Sequence, residues 1–152
     1  MMSVGKSGFM SHDDAVVLLA HLAEEIEAQR ALLANLDGQR EAIVHQGADD
    51  LEEHLQGSAP ILDQLESVAH KRRRILPTLA RRVGLDPERT SLGEMIACID
   101  DRLRPELEAA RLELRKVVET VRRRNLVNAT LVRESLALNR AFIRAIFGAD
   151  EE

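Results

Sequence analysis

Between Leu51 and Val83 the residues Leu51, Leu55, Ser58, Leu62, Leu65, Ala69, Arg72, Leu76, Leu79 and Val83 follow one another at steps of four and three. That spacing keeps a single stripe on one face of an α-helix and marks coiled-coil-like packing, while a strand would need a period of two. A stripe of that length is stable only where other helices cover it. Composition bears on the same point: aromatic residues make up 2% of the chain, with no Trp and no Tyr. Sandwiches and barrels, whose strands draw on β-branched and aromatic residues, are excluded. So are the aromatic platforms that stack single-stranded nucleic acid.

The flanking segments supply the other helices. Ser11-His12-Asp13-Asp14 suits a helix N-terminus, and Leu19, Leu22, Ile26, Leu33, Leu36 and Ile43 follow as a seam interrupted at Gln29 and Arg40. Gly47 is expected as the residue just past its end. Asp49 then caps the next helix, with Glu52 completing a capping box. So short a connection turns the second helix back antiparallel to the first. Pro60 and Pro77 each remove a backbone hydrogen bond from it and are expected to kink it, the more so at Pro60 beside Gly57-Ser58. The segment Gly84-Leu85-Asp86-Pro87 ends it. Ser91 and Glu94 form a second capping box for a short helix whose Met95, Ile96 and Ile99 plug one end. Pro105 is tolerated in the first turn of a last helix. That helix runs through Leu107, Leu114, Val117, Val121, Leu131, Leu138 and Phe142, with Gly148 as its stop. The expected fold is all-α: an elongated antiparallel three-helix bundle with a short extra helix before the last long one. Its helices lie at about 13–47, 49–83, 91–99 and 104–147, between a flexible segment at 1–12 and an acidic tail at 148–152.

Charge is segregated along the chain. Residues 1–70 hold 3 Lys or Arg against 13 Asp or Glu, and residues 71–147 hold 18 against 10. A chain so divided folds back with opposite signs facing each other. The runs Lys71-Arg72-Arg73-Arg74, Arg81-Arg82 and Arg122-Arg123-Arg124 wrap around their helices, because neighbouring positions are about 100° apart. Arg72 and Arg124 fall on the seams and are expected to pair with the acidic first helix. The formal net charge of −5 also argues against nucleic acid as a partner.

Nothing in the chain assembles a reaction centre. Its five His are scattered and read as solvated surface; the Glu-x-x-His pairs of di-iron bundles are absent. His21 with Glu24, or Glu41 with His45, would give a metal two ligands where a stable site needs more. Gly5-Lys6-Ser7 lacks the leading Gly and the strand of a phosphate-binding loop. No cofactor and no catalysis are expected. A single Cys, Cys98, forms no intrachain disulfide and points to a reducing compartment, the cytoplasm. No run approaches the 18 apolar residues of a membrane span, and Met1 to Ser11 lacks the apolar stretch of a signal peptide.

The distal half of the last helix stands apart. One seam holds Asn128, Leu131, Ser135, Leu138 and Phe142; the next holds Asn125, Val132, Asn139 and Ile146; Leu126, Leu136, Ile143 and Phe147 lie further round. The segment is apolar over more of its circumference than two antiparallel neighbours need, which marks a surface waiting for a partner. Its Asn and Ser would fix the partner's register.

The order of these parts resembles the FlgN-like flagellar export chaperones. The resemblance rests on a heptad helix ending in Arg-rich sequence and Val83-Gly84-Leu85-Asp86-Pro87, then Ser91-Leu92-Gly93-Glu94-Met95-Ile96. A last helix with Asn125-x-x-Asn128-x-x-Leu131-Val132-x-x-Ser135-Leu136 completes it, and it spans roughly residues 13–147. It implies a cytoplasmic chaperone that holds the terminal helices of the hook–filament junction (hook-associated) proteins and delivers them to the flagellar export apparatus. Client contacts would then fall on Asn125, Asn128, Leu131, Val132, Ser135, Leu136, Asn139 and Phe142, with Ile146 on the same face. A coiled-coil protein that self-associates through this surface as a homodimer is one alternative; a nucleic-acid or anionic-surface binder using Arg72, Arg73, Arg74 and Arg122 to Arg124 is the other and the weaker.

Overall fold

The computed structural model describes residues 10–45 and 47–147; the segment 1–9 and the acidic tail 148–152 lie outside them. Four helices follow in order: α1 (His12–Val44), α2 (Ala48–Arg82), α3 (Leu92–Ala97) and α4 (Arg104–Phe147). Among the described residues there is no strand, and no helix is long and apolar enough to cross a membrane.

The ends of the helices show what local chemistry fixed. At the start of α1, Ser11 Oγ accepts from the Asp14 amide at 3.1 Å, and the Asp14 carboxylate accepts from the Ser11 amide, a reciprocal capping box. Met10, ahead of the cap, is buried in the core. Ser91 caps α3 through its Oγ alone, which accepts from the Glu94 amide at 3.1 Å; the reciprocal half of the expected second capping box is not made. The turn between α1 and α2 departs from expectation. Gly47 does not close α1 in a left-handed conformation; it is the residue before α2, at φ −83°, and Asp49 lies inside the helix. Backbone geometry does the capping there, with the Gly47 amide bonded to the Ala42 carbonyl at 2.9 Å. α2 stays helical through both Pro60 and Pro77.

α2 ends as the sequence requires. Gly84 takes φ 77°, and the Leu85 and Gly84 amides reach back to the Ala80 and Arg81 carbonyls at 2.9 and 3.1 Å, a Schellman closure. A side chain at this left-handed position costs roughly 1–2 kcal/mol. Gly84→Ala should lower the midpoint of chemical denaturation by a corresponding amount without changing the helical circular-dichroism spectrum.

Pairing fixes the topology. α1 and α2 join at Asp14–Arg82, at Glu25–Arg72 with Glu24–Lys71 beside it, and at Asn35–His54; from one end to the other the first number rises as the second falls, so the helices are antiparallel. Between α1 and α4 the separations stay near constant at 83, 87 and 92 residues, so those two run in the same direction. α1 packs along both neighbours, whereas α2 and α4 barely meet. The all-helical fold and the alternating helix directions are as expected, but the packing of all three long helices into one bundle is not seen, because α2 and α4 are not packed together. α1 is the middle member, and α2 and α4 are the walls of an open groove with α1 as its floor. The physical reason lies on the walls. Arg72, Arg111, Arg115, Glu119 and Arg122 line the groove at one end, where closure would desolvate the Arg72–Glu25, Arg111–Glu108 and Arg115–Glu119 pairs and bury Arg122 with no partner.

The core gathers at the other side of this arrangement, near the start of α1. Leu18 and Leu22 of α1, Leu79 of α2, Met95 and Ile96 of α3, and Leu107 of α4 are sealed from solvent there. α3 plugs that end as its apolar residues suggested. The first 20 residues of α2 bury none of their side chains, and Leu55 and Leu62 are 52% and 53% exposed.

Candidate partner-binding surface

On α4 the side chains buried against α1 are Leu107, Leu114, Val121 and Asn128, a strict seven-residue ladder. The next two rungs are Ser135 and Phe142, and both are exposed. The ladder stops because its support stops. With partners offset by about 90 residues, Val44 at the end of α1 comes level with the region of Glu134. The remaining residues of α4 to Phe147 overhang by about 20 Å at 1.5 Å per residue.

The overhang is apolar and uncovered. Leu138 is 72% exposed and Phe142 64%, and Leu136, Ile143, Ile146 and Phe147 are exposed beside them. Where α4 passes the α1–α2 turn, an open cavity of about 640 Å³ lies between Ala42, Ile43, Gly47, Ala48 and Leu51 on one side and Val132, Ser135, Leu136, Leu138, Asn139 and Phe142 on the other. The site residues read from the sequence divide accordingly. Val132, Ser135, Leu136, Asn139 and Phe142 line this one groove. Asn125 and Ile146 are exposed outside it, and Leu131 is half-buried. Asn128 faces inward: its Nδ2 donates to the Leu36 carbonyl at 2.8 Å, so in this structure it sets the register of α4 against α1.

By spacing Ile43 and Leu51 belong to the seams between helices, and the structure sets both on the groove. The signal for this was present in the unequal lengths of the first and last helices, 33 and 44 residues. A helix longer than its neighbours cannot be covered to its end. A second close approach supports the floor. A Cβ at Gly38 would collide with the His54 ring, and Asn35 Nδ2 donates to the His54 carbonyl at 2.9 Å, so α1 and α2 meet tightly just before their turn.

The segregated charges find each other across the helices. Lys71 Nζ lies 3.0 Å from Glu24, Arg72 lies 2.8 Å from Glu25, and Arg82 and Arg124 pair with Asp14 and Asp37. Arg72 and Arg124 do what their seam positions suggested. His21 does not: it is buried, not solvated, with Nε2 2.7 Å from Glu25, and Glu25 in turn holds Arg72. Among the described residues no group of three His, Cys, Asp or Glu side chains is placed to hold a metal ion.

Asp14 ties the first turn of α1 to α2. Its burial would raise the carboxyl, but hydrogen bonds from Arg82 and Ser11, with the Arg82 charge, hold it below the ordinary carboxylate value. A group depressed in the folded state adds stability that is present above its unfolded pKa and is lost as pH falls through the folded one. Asp14→Asn should therefore lower the denaturation midpoint most near neutral pH and least at about pH 3, so that the midpoint falls less between about pH 6 and about pH 3 than in the wild type.

A family model described as FlgN protein matches residues 10–152, nearly the whole chain. No curated protein and no solved structure matches it.

Proposed function

The chain belongs to the FlgN family, a family of flagellar export chaperones, and from that premise we propose that it captures the terminal helical segments of hook–filament junction proteins. It holds them unassembled in the cytoplasm and delivers them to the export gate. One observation supports this reading above the others. The apolar overhang of α4 and the α1–α2 turn form a single uncovered groove. An amphipathic helix lays its apolar face into such a groove, reading it with anchors three and four residues apart. Each large apolar side chain so covered contributes roughly 1.5–3 kcal/mol. Ordering a client segment on binding consumes part of that gain and keeps the complex releasable. Val132, Leu136 and Phe142 are the anchoring contacts; Ser135 and Asn139 offer hydrogen bonds that fix the client's register. The protein acts as a binding surface and not as an enzyme.

Co-expression with the junction proteins, followed by size exclusion with light scattering, tests the reading. A discrete complex that is lost when the client's terminal helix is deleted supports it. A homodimer that binds no client would replace it with self-association through the same face.

A further inference from the structure

The groove has two differently charged rims. On α4, Arg115 and Arg122 line its inner end. Steps of 7, 11 and 7 residues lead from Arg115 through Arg122 and Arg133 to Arg140, and at 100° per residue these keep all four within about 20° of one line. All four are exposed, and from Thr120 to Phe147 the only acidic residue is Glu134. On the facing wall Leu51, Leu65 and Ala69 of α2 line the cavities, and Leu55 and Leu62 continue the same stripe between them. Outboard of that stripe stand Glu52, Asp63 and Glu66, all exposed, and no Lys or Arg occurs from Ala48 to His70. Among the described residues none of Arg122, Arg133, Arg140, Glu52, Asp63 and Glu66 forms an ion pair. Arg115 pairs with Glu119, but Arg122, Arg133 and Arg140 on the α4 wall and Glu52, Asp63 and Glu66 on the α2 wall are left unneutralised.

We infer that this groove takes an amphipathic helix whose apolar stripe is bordered by acidic residues on one flank and basic residues on the other, and that it accepts the helix in one direction only. The inference rests on the chaperone reading and specifies its client. The acidic flank lies along the α4 arginines and the basic flank along Glu52, Asp63 and Glu66. A helix turned end for end exchanges its flanks, so the wrong direction sets like charges together, the kind of mismatch that creates specificity. A second copy of this chain fits poorly. The distal part of its α4 carries Arg133, Arg140 and Arg144 against Glu134 alone and would bring net positive charge to the arginine rim.

The test uses the full chain and synthetic helical peptides of about 22 residues, long enough to span about 33 Å. All share one Leu/Ile stripe. One carries Glu on one flank and Lys on the other, a second has these flanks exchanged, a third has Glu on both and a fourth Lys on both. The single exposed Cys98, near the α3 end, carries a donor dye, and each peptide carries an acceptor at either terminus. Both mixed peptides should bind about tenfold tighter than the uniform ones, from several rim pairs of modest individual strength. Energy transfer should be high from opposite termini in the two mixed peptides. Replacing Arg122, Arg133 and Arg140 together by Glu should abolish the preference. Equal affinity for all four, tighter binding of a uniform peptide, transfer independent of which terminus is labelled, or no binding overturns the inference. Junction proteins that bind while the peptides show no preference sink this inference alone. Peptides that discriminate while junction proteins fail to bind sink the client assignment and leave the directional groove standing.

Discussion

Phe142→Asp is expected to leave the fold intact and to weaken client capture by roughly 30- to 1000-fold, the 2–4 kcal/mol carried by a central aromatic anchor. The side chain is 64% exposed, so the carboxylate meets water in the free protein and no core contact is lost. In the complex it would have to be desolvated against the client's apolar face with no partner, which is costly. Helical circular dichroism and the thermal midpoint should match the wild type, and a binding isotherm should show the loss. Leu136→Asp, six residues earlier on the same groove, should act similarly. A folded Phe142→Asp variant with unchanged affinity would remove α4 from the site.

Leu107→Ala should do the opposite. Leu107 is sealed in the plugged end of the molecule, on the first rung of the ladder that α4 presents to α1. Truncating a buried leucine costs about 2–5 kcal/mol once the cavity is counted. For a chain of this size that lowers the thermal midpoint by roughly 10 °C. Affinity for client, measured well below that midpoint, should stay near the wild-type value, because the groove lies toward the opposite end of α4. Leu18→Ala, from the α1 side of the same core, should behave in parallel. The pair of effects separates two jobs along one molecule: packing at the end plugged by α3, recognition at the end where α4 outruns α1.

Much of this division was legible in the residues. The capping serines Ser11 and Ser91, the left-handed Gly84 and the tolerated Pro105 mark boundaries through local chemistry that tertiary context did not override. The excess apolar surface beyond Asn125 was legible too, because hydrophobic periodicity counts how many neighbours a helix needs. What periodicity does not encode is which neighbours supply the cover. The α2 heptads predict a contact stripe, and Leu55 and Leu62 lie on it, yet they face an open channel. The same pattern serves an internal partner and an external one equally well. Asn128 carries a related ambiguity. A lone amide among apolar residues reads the same whether it bonds to a client or to the Leu36 carbonyl. A lone His beside carboxylates reads as solvated surface because two ligands make no metal site, while the helix places Glu25 one turn beyond His21 and buries both. The turn at Gly47 defeated capping rules because backbone bonds alone satisfied that helix end.

Amide hydrogen exchange of the full chain, with and without a junction protein's terminal segment, tests the central claim most directly. Binding should slow exchange in the distal part of α4, from about Ala129 to Phe147, and in the stretch from Ile43 to Leu62 that faces it. The core around Leu18, Ile96 and Leu107 should not change. Protection confined to that core, or spread along the faces of α1, α2 and α4 away from the groove, would contradict the account.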